Sequence, residues 1–77
     1  MSIKEICQYI QETKTAARAK GQKILVLRSG DIHKDLNLCR RMPSVCRAMY
    51  RCIETGDIVL HTTPSGNSST IEIQYNL

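Results

Sequence analysis

The sequence has no tryptophan, no phenylalanine and only three tyrosines among its 77 residues, so no aromatic cluster can carry its interior. The core must be built from Ile, Leu, Val, Met, Ala and Cys. A chain this short can bury one such core, which makes residues 1–77 a single domain. No apolar run approaches the roughly 18 to 20 residues of a membrane span, and Met1-Ser2-Ile3-Lys4-Glu5 lacks the basic-then-apolar order of a secretory leader. Both absences lead us to expect a cytoplasmic protein with no membrane partner. There is no glycine-rich phosphate loop, and neither His33 nor His61 has a recognisable nucleophile and orienting carboxylate around it. We therefore expect no enzymatic activity and no cofactor, with His33 facing solvent and His61 an ordinary strand residue. Close C-x-x-C pairs are also missing: Cys39, Cys46 and Cys52 are separated by six and five residues, spacings that do not place two thiolates on one zinc ion, so no metal is expected.

Without a secreted context, the four cysteines read as free thiols rather than a disulfide framework. Cys7, Cys46 and Cys52 fall at or beside apolar positions and are expected to act as small hydrophobes. Cys39 lies beside Arg40 and Arg41, where positive charge favours a thiolate, and has two readings, a redox-sensing thiol or an inert turn residue. The formal charge of +4 favours a polyanionic partner, and where that charge lies matters more than its total.

Ser2-Ile3-Lys4-Glu5 has the S-x-x-E form of a capping box. After it Ile3, Ile6, Cys7, Ile10, Thr13 or Lys14, and Ala17 gather on one face, and Gly21 supplies a left-handed stop, which predicts a first helix over residues 3–19. Ile24-Leu25-Val26-Leu27 is long enough for a buried strand and too short for a helix. Ser29-Gly30-Asp31 offers capping side chains for a short second helix over 30–36, in which Ile32 and Leu36 share a face. Pro43, tolerated where a helix begins, opens a third helix over 43–54 that Gly56 ends. Wound at about 100° per residue, this helix gathers Val45, Ala48, Met49, Cys52 and Ile53 on one side and Ser44, Arg47 and Arg51 on the other. Residues 57–63 and 69–75 read as two strands, the second alternating between apolar and polar, joined by the turn residues Pro64-Ser65-Gly66-Asn67-Ser68.

The element order is thus α-β-α-α-β-β, an α+β fold of three helices with a small antiparallel sheet. At Ile32-His33-Lys34-Asp35-Leu36-Asn37-Leu38 followed by Val45-Cys46-Arg47-Ala48-Met49, the chain resembles the helix-turn-helix of the winged-helix DNA-binding superfamily, with the flanking strands as the wing. The resemblance covers nearly the whole chain, and its motif is an apolar spacing pattern. It implies that the third helix enters the major groove of double-stranded DNA, where each base pair presents its own donor and acceptor pattern.

Arg40, Arg41, Ser44, Arg47 and Arg51 lie on or just before that helix, and no acid occurs between Asp35 and Glu54. Arg41, Ser44 and Arg47 are the expected base contacts, and Arg40 and Arg51 the expected phosphate contacts, since a guanidinium bonds two acceptors of guanine or grips a phosphate. The bland alternative is the solvated face of an amphipathic helix. A second acid-free run holds Lys14, Arg18, Lys20, Lys23 and Arg28, either a phosphate-contacting flank or a solvated helix end. The wing tip at 65–68 has no Lys or Arg; its hydroxyls and amides either bond backbone oxygens or form a plain turn. The expected function is that of a small transcriptional regulator or DNA-recognition module. Its alternative is a protein-interaction winged helix that binds no DNA, in which the third helix or the strand edge meets a partner protein; a homodimer would need a surface of its own, for which the first helix or the last strand is available.

Overall fold

In the computed structural model, which describes residues 1–77, the first helix starts where its capping box lies. Ser2 Oγ accepts from the Glu5 amide at 3.2 Å and the Ser2 amide donates to Glu5 Oε1 at 2.9 Å. The bond from the Ser2 amide, followed by that from the Ser2 hydroxyl, holds the Glu5 carboxyl below its ordinary range. This helix, α1, spans Ile3–Ala19, and the chain leaves it through Gly21 at φ 82°. There follow β1 (Ile24–Arg28), α2 (Ser29–Asp35), α3 (Met42–Arg51), β2 (Ile58–His61) and β3 (Glu72–Asn76). The fold is a small α+β domain of three helices and a three-stranded antiparallel sheet in the order β1-β3-β2.

β3 is the central strand, paired on both edges, with Leu27 and Val59 each opposite Ile73. Its alternation holds: Ile73 and Tyr75, together with Ile71 just before the strand, are wholly buried, and Glu72 and Gln74 are half-exposed. Against these inward residues pack Ile6 and Ile10 from α1, Ile32 from α2, and Val45, Cys46, Ala48 and Met49 from α3. Burying an aliphatic side chain of this size contributes about 1.5–3 kcal/mol.

The first strand is not the fully buried one expected from its unbroken aliphatic run. Leu25 and Leu27 are half-buried, but Ile24 and Val26 are 49% and 46% exposed, because no element covers the outer face of the sheet. β2 is open too, with Ile58 49% exposed, and it carries an irregularity between Val59 and His61. Both hairpin strands are shorter than expected, so the connection between them runs from 62 to 71.

Lysine 14 is the polar exception inside the core. It sits on the inward face of α1, 1% exposed, where its Nζ donates to the Cys52 carbonyl at 2.8 Å and lies 4.4 Å from the centre of the Tyr75 ring. Glu54 Oε2 is 3.6 Å away but largely exposed. These bonds explain why α3 stops at Arg51 rather than 54. The Cys52 carbonyl is taken by Lys14, while the Glu54 amide turns to Asp57 Oδ2 at 2.8 Å and the Asp57 amide returns to the Glu54 carbonyl at 3.0 Å. Gly56, at φ 96°, belongs to that turn and not to the helix end.

Lys14→Met keeps the stem's packing but leaves the Cys52 carbonyl without its donor. It should cost about 1–3 kcal/mol in urea denaturation, whereas Glu54→Gln, which removes the largely exposed partner of the ion pair and leaves the bond to the Cys52 carbonyl, should stay within about 0.5 kcal/mol. A neutral Lys14→Met, or an equal loss in both variants, would contradict the role assigned to the lysine.

Candidate functional site

α2 and α3 are joined by a turn that points its apolar residues inward and its cations outward. Leu36 and Leu38 pack on the core, whereas Cys39, Arg40 and Arg41 are exposed. The Leu36 and Leu38 amides close the turn on the Ile32 and His33 carbonyls, each at 3.0 Å. His33, expected to face solvent, is half-buried, and its Nε2 accepts from the Arg41 amide at 3.3 Å. That bond requires the neutral imidazole. Asn37 and Arg40 lie in the left-handed region at φ 52° and 54°. Asparagine tolerates this conformation, but for arginine it costs roughly 1–2 kcal/mol, so the backbone of this turn is strained where its first arginine stands.

The inward face of α3 is as the helical spacing predicts: Val45, Ala48, Met49 and Cys52 are buried and Ile53 is partly so. Arg40, Arg41, Arg47 and Arg51 are exposed and Ser44 is half-exposed. Lys14 and Arg28 are the only lysine or arginine side chains with a carboxylate within 4.0 Å. The four arginines are therefore displayed and uncompensated.

The second acid-free run does not assemble. Lys14 is in the core, and Arg28 lies 4.0 Å from Glu72, its partner across β1 and β3. Arg18, Lys20 and Lys23 remain exposed near the end of α1. Among the thiols, Cys46 and Cys52 are buried, Cys7 packs against the core and Cys39 is exposed; all four are free. Burial, then the neighbouring Cys7 thiol, pushes Cys52 up to about 11, leaving it protonated near neutral pH. No three His, Cys, Asp or Glu side chains converge as metal ligands.

The 62–71 connection is fastened at both ends. The capping role expected of Ser29-Gly30-Asp31 is absent: α2 has Arg28 as its N-cap and no side-chain cap. Its first amides instead meet the connection, Ser29 N–H bonding the Ile71 carbonyl and Gly30 N–H the Ser69 carbonyl, both at 2.9 Å. The buried Ser29 hydroxyl donates to the Ser68 carbonyl and accepts from the Ile71 amide at 3.1 Å. Gly30 is required here, because a Cβ would lie 2.8 Å from the Ser69 carbonyl oxygen. At the other end, Tyr50 Oη and Thr62 Oγ1 are 2.9 Å apart.

Held this way, Ser65, Gly66 and Asn67 stand over α3 and enclose, with Arg47, Tyr50 and Arg51, an open cleft of about 420 Å³. The sequence reading missed Tyr50, which was available as the residue three after Arg47 and so on the same side of the helix. It could not place the connection's tip, whose position depends on bonds to two helices. The chain matches no protein-family model, no curated protein and no solved structure, so its own residues carry the reading.

Ser29→Ala should cost about 1–3 kcal/mol, because a buried amide and a carbonyl lose their partner together. It should also speed proteolysis within residues 62–71. Unchanged stability and cleavage would show that the connection is held by something other than this hydroxyl.

Proposed function

We propose that the chain is a winged helix-turn-helix module that binds double-stranded DNA, α3 entering the major groove and the β2–β3 hairpin serving as the wing. On this reading Arg41, Ser44 and Arg47 face base edges while Arg40 and Arg51 grip phosphates. The function fits a small transcriptional regulator or a recognition module that works beside another factor, and it calls for no catalysis. The observation that carries it is the set of four exposed arginines with no acid within 4.0 Å, held on and beside one helix whose other face is core. A merely solvated face would ordinarily mix its charges to offset repulsion, and this one has none of the opposite sign between Asp35 and Glu54. The strain at Arg40 supports the same conclusion, since glycine would relieve it and the charge occupies the position instead.

One observation favours a second reading. Ile24, Val26 and Ile58 form exposed apolar positions on the uncovered face of the sheet, which suits a protein partner. Both edges of β3 are already paired, so a partner adding a strand would have to use β1 or β2 rather than the last strand.

Fluorescence anisotropy with random-sequence duplexes separates the readings. Wild-type protein should bind at low salt, with log affinity falling linearly against log salt, by about 0.9 for each phosphate neutralised. Arg40→Gly should weaken binding while thermal stability holds or rises. No binding at low salt would remove the DNA reading and leave the protein-interaction one.

A further inference from the structure

We propose that the cleft between α3 and the tip of the β2–β3 connection is a phosphate seat, in which Arg47 and Arg51 supply the charge and Ser65 and Asn67 supply the hydrogen bonds. The inference deepens the DNA reading and rests on it for the source of the phosphate. It moves Arg47 from the residues that read bases to those that hold the backbone.

Arg47 and Arg51 stand one turn apart on α3, a spacing at which like charges repel, and neither meets a carboxylate in the chain. Tyr50 lines the same cleft, and its Oη lies 2.9 Å from Thr62 Oγ1, which ties the helix to the start of the connection. The tip contributes no charge of its own. Gly66 adopts φ 69° and donates its amide to the Thr63 carbonyl at 2.9 Å, and the Asn67 amide donates to Ser65 Oγ at 3.2 Å. These bonds organise the backbone of the tip, while the Asn67 carboxamide, which bonds nothing in the chain, is free to donate outward. Two guanidiniums, a carboxamide and a hydroxyl around an open cleft without an acid suit a tetrahedral oxyanion, because charge-assisted bonds to phosphate are short and strong. A tip lacking lysine and arginine therefore still serves a phosphate: the charge comes from the helix beneath it. The cleft lies at the C-terminal half of α3, which leaves Arg41 and Ser44 at the helix start to meet base edges.

The test measures the wild-type chain and the variants Arg47→Ala, Arg51→Ala, Arg47→Lys and Asn67→Ala against duplexes of differing sequence, over a range of salt. All three positions are exposed, and circular dichroism checks each fold. Arg47→Ala and Arg51→Ala should each weaken every duplex by the same factor, roughly 5- to 20-fold at low salt, and lower the salt slope by about 0.9. Arg47→Lys should keep the slope, and Asn67→Ala should lose a smaller, equally uniform factor without changing it. Re-ranking of the sequences by Arg47→Ala at constant slope would make it a base reader and overturn the proposal, as would duplex binding that neither arginine variant alters. If wild type binds no duplex, the DNA reading fails separately. Inorganic phosphate, titrated while the Asn67 side-chain amide is followed by NMR, then decides: binding lost in Arg47→Ala makes the seat one for a free phosphate, and no binding overturns it.

Discussion

The structure depends on the inward face of β3. Ile71, Ile73 and Tyr75 are sealed from solvent, and each part of the molecule is fixed by its relation to them. β1 and β2 pair along the two edges of the strand. α3 is tied by the Tyr75 hydroxyl, which donates to the Met49 carbonyl at 2.7 Å, and burial raises that phenol well above its ordinary range. α1 meets the same ring through Lys14, and α2 is joined through Ser29 to Ile71. A 77-residue chain with few aromatics has little margin for error in such a core, so one buried tyrosine bonded at its tip and contacted on its face carries much of the orientation between sheet and helices.

The candidate site follows from that arrangement. Because the inward face of α3 is held against β3, its outward face has a fixed direction, and Arg47 and Arg51 on it are exposed. The connection from β2 to β3 leaves the sheet beside α3 and returns beside α2, and its bonds to Tyr50 and to Ser29 keep its tip over the helix. A site organised in this way would lower the ordering cost of the proposed association. The polar work is divided: the helix carries charge, and the connection carries neutral donors.

Much of this was legible in the sequence where a local rule decides it. The capping box at Ser2 and Glu5, the left-handed Gly21, the helical spacing of Val45, Ala48, Met49 and Cys52, and the alternation at Ile71, Ile73 and Tyr75 all depend on neighbours within a few residues. What failed to show depends on distant chain segments. The run Ile24-Leu25-Val26-Leu27 carries no polar residue to mark its open side, so the exposure of Ile24 and Val26 could be learned only from the absence of a covering element. Lys14 and Thr13 were equal candidates for the inward face of α1, and the choice was made by a carbonyl at Cys52. Ser29 sits where a cap would, yet its hydroxyl bonds the connection 39 and 42 residues later, at Ser68 and Ile71. The arginines were found by charge and periodicity; the cleft they share with Ser65 and Asn67 is a tertiary product.

The central claim is that one face of this molecule, formed by α3 and the tip above it, meets the duplex. Mapping amide shifts of ¹⁵N-labelled protein during titration with a duplex tests it most directly. The account predicts changes concentrated at residues 40–51 and 65–67, with Ile24, Val26 and Ile58 unmoved. Changes centred instead on the open face of the sheet, or spread without a focus over the end of α1, would contradict it.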